Sequence, residues 1–411
     1  MDHVDYTNQK LRLIIDQIQS LSESEFPHPD AKEALDLLKK LFDGDIDRIV
    51  KAVAGGDEAT RIAACAQASS HIARFLPILG FCLRSTNVRN SFELFVPLLQ
   101  LARQLLGRRD AKLVLSSEWE FSPFTYPPVF SQLPNFVLIG LPASESGNAL
   151  IIPLSGHELG HSVWTTYGLD AKIRPELQKR IIDALTKRWD DLEKINQSKL
   201  DINNIETDLF IRSNWLTALN MSLRQVQEMF CDCIAVRIFG ESYFHATEYL
   251  ISPHLGNRRS LNYPDIATRM KSMEAAAKRF GLPYPVDFGR RFSEASATLD
   301  SKTEFLLVLA DEATKASLDD ILEAVDAISK KVTLPLPDQA VAKNIYDRFK
   351  IGIPANNLTN LADVINAGWM SYFDVDLWER DSLATDRFGP LNELILKTIE
   401  VMEFEIRMKV P

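Results

Sequence analysis

The sequence predicts a mainly α-helical protein with a small β-sheet, an α+β fold class, and three observations support it. Apolar residues recur at spacings of three and four throughout residues 1–107, as in LRLIIDQIQSL and SFELFVPLLQLARQLL. Between residues 112 and 142 the pattern changes, and KLVL and NFVLIGLP look like short strands. Beyond residue 264 the helical spacing returns and continues to the end.

These changes of pattern divide the 411-residue chain into three regions. We expect a helical N-terminal region at residues 1–110, a core at residues 111–290 that contains the small sheet, and a helical C-terminal region at residues 291–411. Between the two predicted strands lies the stretch EWEFSPFTYPPVFSQLPN, rich in aromatic residues and prolines. It is interpreted either as a loop pinned to the core by its aromatic side chains or as a wall of a binding cleft.

Charge and composition indicate which partners to expect. The formal net charge is −10, which argues against nucleic acid or an anionic membrane as the main partner. No basic segment leads into an apolar one at the start of the sequence, and the longest apolar run is too short to span a bilayer. We therefore expect a cytoplasmic protein with reduced structural cysteines, at Cys65, Cys82, Cys231 and Cys233.

The stretch IIPLSGHELGHSVW places two histidines and a glutamate among small and apolar residues. Pro153 is well placed for the first turn of a helix that would run to about Tyr167. On that helix His157 and His161 lie four apart and can present both imidazoles to one ion. Glu158, offset by one position, suits the general base that takes a proton from a metal-bound water. The pattern therefore favours a zinc site over a core helix with tolerated polar residues.

Zinc with two histidine ligands needs a third protein ligand. A third histidine six residues after the second is absent, because Tyr167 occupies that position. The segment QEMFCDCIAVRIFG offers Glu228 as a ligand, and Asp232 four residues later as acceptor for the outer ring N–H of a histidine. The alternative is a helix with one solvent-facing side, on which Glu228, Asp232 and Arg237 are merely wetted or ion-paired.

HELGH followed by a downstream E-x-x-x-D helix resembles the gluzincin zinc metallopeptidases. The resemblance implies a zincin-like catalytic core that binds one Zn²⁺ ion through His157, His161 and Glu228. It also implies that Glu158 is the catalytic base and that Asp232 supports the catalytic site from behind the ligands. An edge strand that holds a peptide substrate is a further implication, and NFVLIGLP is either such an edge strand or an internal strand.

A third stretch, SLNYPDIATRM, is similar to the segment that follows the glutamate helix in the membrane-bound heat-shock and CAAX-processing zinc peptidases. Pro264 and Arg269 match its spacing, whereas Tyr263 stands where those families usually have histidine. We expect a structural proline turn with an ion-paired Arg269.

The expected function is zinc-dependent hydrolysis of peptide bonds in a protein or peptide substrate. The tetrahedral oxyanion needs a donor besides zinc, and His245 is the favoured candidate ahead of Tyr243, His254 and Tyr263. The first alternative is a catalytically inactive or regulatory zinc-binding protein with a helical interaction scaffold. The second is a helical scaffold without metal.

Overall fold

A computed structural model of the chain is mainly α-helical with one small sheet among the residues it describes, which confirms the predicted fold class. None of the described helices is long and apolar enough to cross a membrane. The described residues are 3–87, 91–118, 123–126, 133, 135–145, 147–197, 199–251, 259–292, 299–379 and 388–409.

The chain forms two compact units. The first comprises residues 1–103 and 108–147, and the second comprises residues 104–107 and 148–411. The sheet thus belongs to the first unit and the HELGH helix to the second. The boundaries of the three predicted regions, at residues 110 and 290, stay predictions. The first elements along the chain are α1 His3–Ser22, α2 Pro29–Gly55, α3 Glu58–Arg84, α4 Ser91–Leu106, β1 Lys112–Glu118, β2 Phe124–Tyr126 and β3 Phe136–Pro142.

The sheet has the strand order β1-β3-β2. β1 runs parallel to β3, with Leu113 opposite Val137, and β2 runs antiparallel to β3, with Thr125 opposite Ile139. The two predicted strands are confirmed, but the suggestion that NFVLIGLP forms an edge strand is wrong because β3 has a partner on both sides. The three-residue β2 was not expected inside the proline-rich stretch. Most of that stretch, at residues 119–122, 127–132 and 134, lies outside the described residues, so its role stays open.

The second unit is built around one long helix, α8, against which α5, α6, α10, α11 and α12 all pack. Its helices are α5 Leu154–Thr166, α6 Leu169–Lys187, α7 Trp189–Asn196, α8 Leu209–Phe239, α9 Glu241–Ile251, α10 Ile266–Phe280, α11 Ser301–Lys315, α12 Leu318–Lys331, α13 Gln339–Phe349, α14 Leu361–Phe373, α15 Val375–Glu379 and α16 Phe388–Lys409. The bounds of α5 agree with those predicted for the HELGH helix to within one residue at each end.

The helix α8 begins about three turns before the position near Met221 where the sequence placed it. The Asp208 side chain caps it by accepting hydrogen bonds from the backbone N–H groups of Phe210 and Ile211, at 2.9 and 3.0 Å. In the sequence, the start of this helix is marked only by Asp208 after a polar linker. The apolar pattern that predicted the helix begins later, near Met221. The cap therefore explains the twelve additional residues of α8.

The C-terminal part of α8, from Met229 to Phe239, has no solvent-exposed side. Every residue from Met229 to Phe239 is buried, Asp232 with an exposed fraction of 0% and Arg237 with 8%. Arg237 donates hydrogen bonds from its guanidinium to the backbone carbonyls of Leu334 and Pro335, at 2.6 and 2.8 Å. The interpretation of Asp232 and Arg237 as solvent-facing residues is therefore wrong, and a buried Asp232 requires a local partner.

Two glycines allow α5 and α8 to approach closely. A Cβ atom added to Gly156 would lie 2.9 Å from the ring of Phe239, and one added to Gly160 would lie 2.8 Å from the Cα of Cys231. Because the two glycines are four apart, they form one small-residue face of α5. Gly156 directly precedes His157, and Gly160 directly precedes His161. The close contact thus brings the imidazoles within reach of side chains on α8.

We expect Gly160→Ala to lower the free energy of unfolding by about 1–3 kcal/mol, because the new methyl group meets backbone that cannot rotate away. The matched control is Gly44→Ala in α2, where an added Cβ meets nothing within 4 Å. There the higher helix propensity of alanine should leave stability unchanged or raise it by up to about 1 kcal/mol. Calorimetric unfolding of the two variants measures both effects. A Gly160→Ala protein as stable as wild type would mean that the contact between α5 and α8 is looser than described.

Candidate metal centre

The HELGH histidines lie on the side of α5 that faces α8. The ring centroids of His157 and His161 are 5.2 Å apart, and their planes are inclined at 77°. Both side chains are largely buried, since α5 packs its small and apolar residues against α8 on the same side. A spacing of four residues places two side chains on neighbouring turns of one face, so one ion can contact both rings.

Glu228 of α8 faces both imidazoles. Its Oε2 atom is 3.1 Å from Nε2 of His157, and its Oε1 atom is 3.8 Å from Nε2 of His161. Tetrahedral zinc, with bonds of about 2.0–2.1 Å, holds its ligand atoms about 3.3 Å apart. Glu228 thus lies beside both imidazoles, at separations comparable to those in a zinc site, and these are the three side chains that the sequence predicted as ligands.

Asp232 is the centre of a buried hydrogen-bond network behind His157. Its Oδ1 atom accepts from Nδ1 of His157 at 2.9 Å and from the hydroxyl of Tyr243 at 2.5 Å. The guanidinium of Arg269 donates to both carboxylate oxygens, at 2.6 and 3.0 Å. Since the hydrogen bond at Nδ1 fixes the ring, Nε2 of His157 is the atom left to face Glu228 and an ion. The contact predicted between Asp232 and a ligand histidine is present.

The pair formed by Arg269 and Asp232 confirms the predicted ion pairing of Arg269. Arg269 lies in the first turn of α10, whose N-terminus is capped by the Asp265 side chain through the backbone N–H of Thr268, at 2.8 Å. Burial alone would raise the pKa of Asp232, but Arg269 and His157 hold it well below its ordinary value. Asp232 is therefore a charged carboxylate inside the protein, compensated on two sides.

Burial and neighbouring charges set the pKa values of the three ionisable HELGH side chains. Burial would lower the pKa of His157, but hydrogen bonds to Asp232 and Glu228 outweigh it and raise the value to about 10. Burial lowers the pKa of His161 to about 4, which leaves its ring neutral. Burial raises the pKa of Glu158 to about 7, in the range that suits a general base at neutral pH. A metal ion bound at this ring would therefore have to displace the proton of His157.

Cys231, which the sequence predicted to be a structural thiol, is a neighbour of the site. Its Sγ and one ring nitrogen each of His157 and His161 all lie within 4.8 Å of one another, so these three could also hold an ion. Burial and the charge of Glu228 raise the pKa of Cys231 well above its ordinary value, which keeps the sulfur protonated. The signal in the sequence that could have indicated this role is that Cys231 directly precedes Asp232. The site thus offers two ligand sets, one completed by Glu228 and one by Cys231.

His245 lies apart from these residues. Its ring contacts Trp369 and Phe373 of α14, at centroid distances of 5.2 and 4.8 Å, and its Nε2 is 3.9 Å from Glu241. Residues two apart on a helix point about 200° apart. Because Tyr243 faces Asp232, His245 of the same helix faces away. The catalytic role of His245 stays a prediction without support from these contacts, and His254 lies outside the described residues.

Comparison with known proteins adds no relative. No family model, no curated protein and no solved structure matches the chain. The function of the site is therefore inferred from its own geometry, in which two imidazoles and a carboxylate converge and a second carboxylate orients one of the rings.

Proposed function

We propose that this chain is a zinc-dependent metallopeptidase of the gluzincin type that hydrolyses peptide bonds. The observation that supports the proposal is that Glu228 of α8 faces His157 and His161 of α5, with its carboxylate oxygens 3.1 and 3.8 Å from their Nε2 atoms. Two histidines and one carboxylate leave a fourth position for water or substrate, which a catalytic zinc site needs.

Each polar side chain of the site has a role in this mechanism. Zinc held by the three ligands would supply a Lewis acid that activates water and polarises the peptide carbonyl. Glu158 would accept a proton from the attacking water and pass it to the leaving amine. Asp232 keeps the His157 ring in place, and Tyr243 and Arg269 in turn hold Asp232. Asp232 is therefore a positioning residue in this proposal.

The second candidate is a zinc-binding protein without catalysis, of regulatory or structural function. The observation that favours it is the buried Cys231 thiol beside the two histidines. If this sulfur and Glu228 both bound the ion, four protein ligands would leave no position for water, as in structural zinc sites. The open site is preferred because the Nε2 atoms of His157 and His161 both face Glu228. A base at Glu158 would also have no task in a closed site.

The proposal includes a protein or peptide as substrate and the cytoplasm as location. An acidic chain with a net charge of −10 is a poor ligand for nucleic acid or an anionic membrane surface, which supports the exclusion of both as main partners. The exclusion of nucleic acid and anionic membrane as main partners holds whether Glu228 or Cys231 completes the ligand set.

Metal removal and reconstitution test the function. The purified chain is treated with a chelator, divided, and one half is reloaded with one equivalent of zinc. Both halves are incubated with a peptide library of diverse sequence, and new termini are identified by mass spectrometry. We expect cleavage by the reloaded half only. Zinc bound at one ion per chain without any cleavage would favour the regulatory alternative, and no zinc binding at all would favour the helical scaffold.

A further inference from the structure

A sulfur atom competes with a carboxylate for the two histidines of the candidate metal centre. The Sγ atom of Cys231 and one ring nitrogen each of His157 and His161 all lie within 4.8 Å of one another. The Cys231 side chain is completely buried, with an exposed fraction of 0%. The carboxylate oxygens of Glu228 lie 3.1 and 3.8 Å from the Nε2 atoms of the same two rings. One pair of imidazoles thus has two different anionic groups within reach.

The sulfur lies against α5 because Gly160 has no side chain. A Cβ atom added to Gly160 would lie 3.0 Å from Sγ of Cys231 and 2.8 Å from its Cα. Gly160 directly precedes His161 and follows His157 by three residues, so the sulfur packs against the stretch of α5 that carries both rings. Cys231 also follows Glu228 by three residues, on the next turn of α8. The thiol and the carboxylate therefore approach the histidines from the same helix.

The two anionic groups suit ions of different charge. A divalent cation bound by the Glu228 carboxylate and two neutral imidazoles keeps one net positive charge. A monovalent cation bound by the Cys231 thiolate and the same imidazoles is neutral, once the thiol proton has left to solvent. A neutral complex costs less free energy to bury than a charged one. The complete burial of Cys231 thus favours a monovalent ion at the sulfur.

The chemistry of the ligand atoms separates the same two kinds of ion. Thiolate sulfur is a soft ligand that selects Cu⁺, carboxylate oxygen suits harder cations, and imidazole binds both copper and zinc. Zinc is intermediate and accepts sulfur, nitrogen and oxygen ligands. Two imidazoles and one thiolate also complete the low coordination number that Cu⁺ adopts. A Cu⁺ ion at this position therefore needs no carboxylate.

We propose that His157, His161 and Cys231 form a binding site for Cu⁺, a soft monovalent cation, which replaces zinc at the two histidines. Both ions use the same imidazoles, so the chain binds one or the other. Cu⁺ takes the sulfur and leaves Glu228 without a metal bond, whereas zinc in the proposed function takes Glu228 and leaves the thiol protonated. The inference goes beyond the peptidase function and does not require it, because it concerns only the binding of an ion.

The test crosses two variants with two metals. The full chain is titrated under nitrogen with Cu⁺ in competition with a chromophoric Cu⁺ chelator, and separately with zinc. Cys231→Ser should weaken Cu⁺ binding by more than about 100-fold, because a hard hydroxyl replaces the soft ligand. Glu228→Gln should leave Cu⁺ affinity within about threefold of wild type, because the carboxylate is not a Cu⁺ ligand. Zinc should show the opposite order of losses.

Cys233→Ser is the matched control. Cys233 is a second fully buried cysteine of α8, two residues further on, and its thiol donates to the backbone carbonyl of Ser272 at 3.7 Å. Residues two apart on a helix point in nearly opposite directions. This variant should keep wild-type affinity for both metals. It separates the loss of a sulfur ligand from the cost of a hydroxyl group in the core.

A spectrum of the wild type needs no variant. X-ray absorption at the copper edge of the chain loaded with one equivalent of Cu⁺ should show nitrogen neighbours and one sulfur, and the sulfur should disappear in Cys231→Ser. A copper spectrum without sulfur, or an unchanged Cu⁺ affinity in Cys231→Ser, would overturn the inference whatever the peptidase assays show. A chain that binds Cu⁺ through Cys231 but cleaves no peptide when loaded with zinc would support the inference and overturn only the peptidase function.

Discussion

Glu158→Gln is expected to lower kcat for peptide hydrolysis by about 10³-fold or more, because a glutamine cannot accept the proton of the attacking water. The amide has nearly the size of the carboxylate, so the packing between α5 and α8 is preserved. Glu158 is not among the three predicted ligands, and zinc content should therefore stay at one ion per chain. The measurement is a progress curve for one cleaved peptide at equal zinc loading of variant and wild type.

A matched control separates loss of the base from loss of any buried negative charge. Glu403 of α16 is likewise buried and has a raised pKa, but it belongs to a different part of the second unit. Glu403→Gln should retain the activity of wild type. If Glu158→Gln still cleaved the same bonds at an undiminished rate, Glu158 would not be the base, and another group would have to accept the proton.

The second large effect is expected on zinc affinity. Glu228→Gln replaces a charged ligand by a neutral amide and should weaken zinc binding by more than about 100-fold, since loss of a group that merely orients a ligand already costs 10- to 100-fold. Activity should disappear at zinc concentrations that saturate the wild type and return in part at high zinc. Competition with a chromophoric chelator measures the affinity directly.

Cys231→Ser provides the comparison. If Glu228 is the third ligand, the serine variant should bind zinc within about threefold of wild type, because a thiol outside the coordination shell adds little. The reverse order, with a severe loss in Cys231→Ser and a small one in Glu228→Gln, would assign the ion to the two histidines and Cys231. Losses of equal size would indicate four protein ligands and favour the regulatory alternative.

Periodicity predicted those parts of the site that lie within one helix. The bounds of α5, the common face of its two histidines and the buried second half of α8 follow from spacing and apolar content. The sequence also predicted the pairing of α5 and α8 through Glu228 and Asp232, since carboxylates in apolar surroundings need partners. The fold class followed from the same alternation of helical and strand-like patterns.

Contacts between elements far apart in the sequence could not be predicted in this way. The hydrogen bond from Tyr243 to Asp232 depends on how α9 turns after Gly240, whose positive φ of 62° has no signature beyond the glycine itself. A rotation of α9 by half a turn would have brought His245 to the site instead. The central place of β3 depends on β2, a strand of three residues too short to produce a period.

The X-ray absorption spectrum of zinc bound to the full chain is the decisive measurement. The proposed site is open, with His157, His161 and Glu228 as ligands and water in the fourth position. It predicts only nitrogen and oxygen neighbours, at about 2.0–2.1 Å, and no sulfur. A sulfur neighbour at about 2.3 Å would contradict it, because that sulfur would be Cys231 and the position required for catalysis would be occupied.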